Sequence, residues 1–277
     1  MKKYVLLILS PDEKGLIYKV TSIIFKRGLN IDKNDEYVDS EENRFFMRAE
    51  FSGETDPLAL LAEIRASLPE RAEVKLEEIR PKDIVILCTK ENHCLGDLLL
   101  RYDSGELEAN IKAVVSNYDH LKPLSEKFEI PFYGISHEGI SRQEHEQRML
   151  ECLAALKPDY LVLAKYMRIL SPEFVHHYER QIINIHHSFL PAFVGANPYK
   201  QAHERGVKII GATAHFVNDN LDEGPIIAQD IIKIDHSYTW RDMQKAGRDV
   251  EKVVLARALN LALHDRIFVH GNKTVIF

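Results

Sequence analysis

Residues 182–191 read Ile-Ile-Asn-Ile-His-His-Ser-Phe-Leu-Pro. The stretch is apolar and β-branched at first, as a strand covered on both faces would be, then turns polar at its carboxyl end. Leu190-Pro191 breaks the strand. In an open α/β sheet, that carboxyl end is where ligands bind. Asn184 and His186 are two apart, so a strand projects both from one face there. His186 and His187, being adjacent, are expected on opposite sides.

Working outward, Gly211 to Val217 forms a second such run. It is followed by the polar loop Asn218-Asp219-Asn220-Leu221-Asp222-Glu223-Gly224-Pro225, whose Gly-Pro exit restricts its shape. Upstream, strand patterns at Ile84–Leu87, Ile111–Ser116, Phe132–Ile135 and Tyr160–Ala164 alternate with helical patterns. The helical patterns cover Cys94–Tyr102, Leu121–Phe128 and Ser141–Leu156. Arg241–His264 is the longest helical pattern, and residues 266–277 add short extended pieces. Strands with helical crossovers predict an α/β fold, a mostly parallel, doubly wound, Rossmann-like sheet over residues 84–277.

The first eighty residues have a different order. Tyr4–Leu9 has strand length, and Leu16, Val20, Ile23 and Ile24 follow at helical spacing, with Gly28 as a stop. Residues 31–39 are mixed. From Arg44, Phe45, Met47, Ala49 and Phe51 alternate against Phe46, Arg48 and Glu50. Leu58, Leu61, Ala62 and Leu68 suggest a second helical stripe, and Val74–Ile79 can close the sheet. This βαββαβ order predicts a ferredoxin-like domain over residues 1–80, joined through the charged linker Arg80–Asp83.

Composition narrows the function classes. The 277 residues carry a net charge of −6 without a basic block, which argues against nucleic acid as a partner. Three cysteines without CxxC spacing point to free thiols in a reducing compartment, and a cytoplasmic location is expected. The apolar run after Lys3 is too short for a signal peptide, and no other run approaches membrane-spanning length, so no membrane partner is expected. His145-Glu146 has no second histidine at the HExxH spacing, and adjacent His186 and His187 cannot easily share one ion. No metal is expected.

Two resemblances stand on these residues. Ser10-Pro11-Asp12-Glu13-Lys14-Gly15-Leu16, with Gly28-Leu29-Asn30-Ile31 after the helix, resembles the ACT domain, a regulatory module that binds amino acids and pairs through its sheet edges. The resemblance implies an amino-acid effector near Asp12, Gly15 and Asn30, and a homo-oligomer. Asp12 as a simple helix N-cap is the alternative reading. The second carries the chemistry. Asn184-Ile185-His186, Ser188 and Leu190-Pro191, with Asp222 thirty-six residues beyond His186, resemble the folate-dependent formyltransferase family. Met167-Arg168-Ile169-Leu170-Ser171-Pro172 matches the segment that lines the family's pterin pocket. The match spans about residues 84–235. With the ACT-like domain in front, the whole chain is similar to the formyltetrahydrofolate deformylase family.

That resemblance implies hydrolysis of 10-formyltetrahydrofolate, a linear amide, to tetrahydrofolate and formate, supplying purine synthesis and balancing one-carbon pools. It makes Asn184, His186 and Asp222 catalytic, and Met167, Arg168, Leu170, Val217 and Leu221 folate contacts. The folate is the substrate, and no separate cofactor is expected. The residue types suit the reaction: Asn184 and charged His186 can donate hydrogen bonds to a tetrahedral oxyanion, and Asp222 can relay a proton from water to N10. Related glycinamide ribonucleotide formyltransferases hold a phosphorylated amine with a Gly/Ser-rich loop after the first strand. Here that loop reads Thr89-Lys90-Glu91-Asn92-His93-Cys94-Leu95-Gly96, without a Gly-x-Gly cradle and with an added carboxylate, which favours water as acceptor. Lys90 and His93 remain able to attract an anion. Methionyl-tRNA formylation and a non-catalytic amino-acid sensor are the other readings. The short C-terminal extension and negative charge argue against the first, and the intact Asn184, His186 and Asp222 against the second.

Overall fold

The computed structural model describes residues 2–191 and 198–277, and their contacts divide the chain into two compact units. The first contains residues 1–80 together with Asp265–Phe268 and Val275–Phe277. Its elements are β1 (Lys3–Pro11), α1 (Leu16–Lys26), β2 (Asn30–Asp39), β3 (Arg44–Ser52), α2 (Pro57–Ser67) and β4 (Glu73–Glu78). They form the expected ferredoxin-like arrangement, a sheet in the order β2-β3-β1-β4. Its main core packs Leu6, Ile8, Met47 and Phe51 against Val20, Ile24, Leu60 and Ile64.

Three details refine the sequence reading. Residues 30–39 are one strand, at the sheet edge, with a largely exposed charged surface. The buried stripe of α2 is Leu60 and Ile64, whereas Leu58 is 78% exposed, because Asp56 caps the helix and Pro57 starts it in a register that turns Leu58 outward. The Phe46 and Arg48 face is also buried. Phe268 packs edge-on to Phe46, with Leu9, Val275 and Phe277 around them, and Arg48 Nε donates to the Asp265 carbonyl at 2.9 Å.

The second unit comprises residues 81–264 with Val269–Thr274. Its strands β5 (Lys82–Cys88), β6 (Ala109–Ser116), β7 (Phe132–Gly134), β8 (Tyr160–Leu163), β9 (Ile182–His186), β10 (Ile209–Phe216) and β11 (Ile226–Lys233) form a seven-stranded sheet. The order is β11-β10-β9-β8-β5-β6-β7. From β9 to β7 the pairings are parallel, while β10 runs antiparallel to both β9 and β11. The helices are α3 (His93–Asp103), α4 (Lys122–Lys127), α5 (Arg142–Leu156), α6 (Pro172–His176), α7 (Pro198–Glu204) and α8 (Trp240–Leu263). The expected doubly wound, mostly parallel sheet is present. Its order switches direction at β5, with β6 on one side and β8 on the other, and such a switch opens a crevice beyond the carboxyl ends. A hairpin of β12 (Ile267–His270) and β13 (Lys273–Ile276) ends the chain. No described helix is long and apolar enough to cross a membrane.

Candidate active site

Strand β9 carries Asn184 and His186 at its carboxyl end, as the two-residue period requires. Antiparallel β10 supplies the opposite wall, with His215 directly across from Asn184 and Thr213 across from His186. The turn after β9 is fastened from β10. Thr213 Oγ1 donates to the Ser188 carbonyl and accepts from the Leu190 amide, both at 3.0 Å.

The loop after β10 delivers the carboxylate. Asp222 has a φ of +59°, a left-handed conformation that aspartate tolerates better than most residues. Gly224 follows where no side chain fits, since a Cβ would collide with the Phe216 carbonyl. The Phe216 amide donates to the Pro225 carbonyl at 2.9 Å, and Asn272 Nδ2 to the Glu223 carbonyl at 2.9 Å. Asp222 Oδ1 thereby stands 3.2 Å from His186 Nδ1.

His215 belongs to the same cluster and was not singled out in the sequence. Its Nδ1–H donates to the Phe216 carbonyl at 2.9 Å. Its Nε2 then accepts from Asn184 Nδ2 at 3.2 Å in the neutral ring, and faces Asp222 Oδ1 at 3.7 Å, toward which it donates when charged. Nothing in the local sequence sets it apart, because the pairing of His215 with Asn184 depends on the register between β9 and β10.

Electrostatics follow from this packing. Burial alone would raise the Asp222 carboxyl, but hydrogen bonds and charge from His186 and His215 outweigh it and hold the carboxyl well below the usual range. Asp222 is therefore ionised at neutral pH. His186 is 6% exposed, and its Nε2 is buried without a hydrogen-bond partner among the described residues. A buried ring nitrogen left so is costly unless a ligand completes it. His187 does not point away from His186 as expected. It lies past the last residue of β9, where the chain bends, and its ring stacks on His186 with centroids 4.8 Å apart at 20°. Burial, then Lys165 and His186, lower His187 to about 4, so it is neutral.

The other expected residues are distributed as follows. Met167 and Leu221 are exposed apolar side chains at 60% and 56%, Arg168 is half-buried, and Leu170 and Val217 pack partly against the core. Gly15 takes a φ of +89° as the N-cap of α1, which excludes Asp12 from that position. Asp12 is fixed by its amide to the Asn43 carbonyl, and Asn30 Nδ2 donates to Asp32. Of the two groups able to attract an anion, Lys90 lies over the Tyr118 ring and His93 is bound to Glu251. His93, Cys94 and Glu251 bring donor atoms within 4.8 Å of one another. Lys165 Nζ already lies 3.3 Å from Glu251, and this ammonium opposes a metal ion there.

Residues 82–259 match the formyl transferase family, and residues 4–68 match the ACT domain. The formyltetrahydrofolate deformylase of Escherichia coli strain K12 is 56% identical over 276 residues, covering all of this chain and 99% of that protein. The chain belongs to the formyltetrahydrofolate deformylase family. The crystal structure of a deformylase of this family from Pseudomonas syringae superposes with a TM-score of 0.95 at 38% identity, covering 100% of this chain and 95% of that one. Glycinamide ribonucleotide transformylase 1 from Symbiobacterium toebii is similar over 71% of this chain and 94% of its own, with a TM-score of 0.68 and 27% identity. The deformylase family likeness thus extends over both units.

Proposed function

We infer that this chain hydrolyses 10-formyltetrahydrofolate to tetrahydrofolate and formate. The observation that carries the reading is Asp222 Oδ1 at 3.2 Å from His186 Nδ1, with the opposite ring nitrogen of His186 buried and unpartnered. Whole-length similarity to named deformylases supports the same reading.

In the proposed chemistry the formyl oxygen lies against His186 Nε2 and Asn184 Nδ2. Asp222 takes a proton from a water whose oxygen attacks the formyl carbon. Charged His186 and the Asn184 amide stabilise the oxyanion that forms. The C–N10 bond then breaks as the proton held between Asp222 and His186 passes to N10, and formic acid leaves as formate and a proton. Asp222 and His186 act as a coupled pair. Met167 and Leu221 are the assigned apolar contacts of the folate, with Arg168, Leu170 and Val217 beside them.

The expected catalytic span 84–277 is shortened at its end, because Asp265–Phe268 and Val275–Phe277 belong to the first unit. We assign the second unit to catalysis and the first to regulation by a small amino acid near Asp12, Gly15 and Asn30. Exposed β2 suits pairing between copies, since an edge strand leaves backbone groups to satisfy. The cytoplasm is the assigned compartment, in keeping with the free thiols Cys88, Cys94 and Cys152. The test is to incubate the protein with 10-formyltetrahydrofolate, with and without glycinamide ribonucleotide. Formate release unaffected by the amine supports hydrolysis, formylated amine indicates a transferase, and no turnover favours a sensor.

A further inference from the structure

A cavity of about 390 Å³ lies at the carboxyl ends of the strands, lined in part by Glu91, Lys165, His187, Tyr199, Arg248 and Glu251. Glu91 follows β5, Lys165 follows β8 and His187 follows β9, so the cavity stands at the switch in strand order. Because His187 stacks on His186, it adjoins the proposed reacting centre.

A helix N-terminus that opens on such a crevice attracts anions. Here the first two residues of α3, His93 and Cys94, face a carboxylate of the protein itself, Glu251. Glu251 is 1% exposed. Its Oε2 is 2.7 Å from His93 Nε2 and 3.3 Å from Lys165 Nζ, and its Oε1 accepts from the Tyr199 hydroxyl at 2.7 Å. Burial pushes this carboxyl up, but His93, Lys165 and Tyr199 together bring it down to about 2.

Burying a carboxylate costs several kcal/mol before its partners repay it, and the surroundings are built around this one. Lys165 holds a φ of +61°, and its carbonyl accepts from Thr89 Oγ1 at 2.8 Å. Gly247, one turn before Glu251 on α8, leaves room for the Tyr199 ring and hydroxyl, which a Cβ would strike. A second carboxylate, Glu91, is held by Arg248 Nε and Nη2, each at 3.2 Å. Lys165 and Arg248 thus both pair with carboxylates of the chain, and the remaining lining cation, Lys200, has a side chain 63% exposed.

We propose that Glu251 and Glu91 determine acceptor specificity, forming a built-in pair of anions that engages the cavity's cations and keeps phosphorylated amines away from the reacting centre. Specificity of this kind works by opposing the wrong ligand as much as by favouring the right one. The proposal rests on the hydrolytic reading above, since it explains why water is the only acceptor admitted.

The test compares wild type, Glu91→Gln and Glu251→Gln at fixed ionic strength. Formate release is measured against rising inorganic phosphate, with chloride as control, and melting temperature is followed in the same series. Wild type is expected to be indifferent to phosphate. Each variant is expected to become inhibited, with an apparent inhibition constant at least about tenfold lower, because a like-charge opposition has been removed. Phosphate should also raise the melting temperature of the variants only. Glu91 is partly exposed, so Glu91→Gln decides the matter if Glu251→Gln does not fold. Equal phosphate sensitivity in wild type and variants would overturn the proposal. A wild type that releases no formate would remove the hydrolytic reading instead, and the melting series would still decide the charge preference of the cavity.

Discussion

His215 on β10 lies directly opposite Asn184 on β9, and its Nε2 is 3.2 Å from the Asn184 amide nitrogen and 3.7 Å from Asp222 Oδ1. One ring therefore bridges the Asn184 amide, the proposed oxyanion donor, and the Asp222 carboxylate. With Nδ1–H committed to the Phe216 carbonyl, the neutral ring can only accept from Asn184, which fixes the nitrogen end of that amide toward His215.

His215 should therefore position the other groups. His215→Phe is expected to lower kcat by about 10- to 100-fold, the scale of a misplaced catalytic group, with little change in KM for the folate. Steady-state kinetics with a pH profile check this. A fall in stability alone, with the pH profile and kcat of the folded fraction unchanged, would show a packing role only.

The Asp222 loop depends on Gly224. Gly224→Ala places a methyl against the Phe216 carbonyl, so the loop or the end of β10 must shift. A loss of about 2 kcal/mol or more in urea unfolding is expected, together with reduced turnover. Unchanged stability would mean that the loop yields at no cost.

His187 gives a pH dependence with a definite sign. Its folded value of about 4 lies below the ordinary 6.5, so between these values the unfolded chain binds more protons than the folded one. The contribution of His187 to stability is thus intact above pH 6.5 and declines as pH falls toward 4. His187→Phe keeps a flat ring on His186 and removes that titration. Melting temperature measured from pH 7 to pH 4 should fall less steeply in the variant than in wild type.

The parts of the fold that were legible are those whose pattern is local. Strands β5, β8 and β9 are short apolar runs, and Asn184, His186 and Asp222 could be singled out by motif and spacing. Strand β2 followed from the βαββαβ order rather than from its own pattern, because an edge strand presents Asp32, Lys33 and Glu36 to solvent and shows little apolar alternation. In α2, apolar side chains fill most positions from Pro57 to Ile64, so periodicity alone did not choose the buried face. Burial of Phe46 and Arg48 depends on residues more than two hundred positions later, which no window contains. His215 reads as a core residue until the β9–β10 register is known. Glu251 was readable in principle, since Gly247, Glu251, Val254 and Ala258 share the buried face of α8.

The regulatory assignment rests on Gly15, where a Cβ would meet nothing within 4 Å but the backbone is left-handed at +89°. Gly15→Val is therefore strained by its backbone rather than by a clash. Formate release measured across a panel of amino acids should lose its response in the variant while basal turnover persists. A response equal to that of wild type would remove the effector site from this turn.

The most direct test of the catalytic account is a single-turnover measurement on Asp222→Asn, because asparagine tolerates the same left-handed backbone and keeps the shape of the side chain. Folate binding is expected to survive, while the rate of formate release falls by at least about 100-fold, the usual scale for a general acid–base group. A well-folded variant that binds folate and releases formate at a near-normal rate would contradict the account.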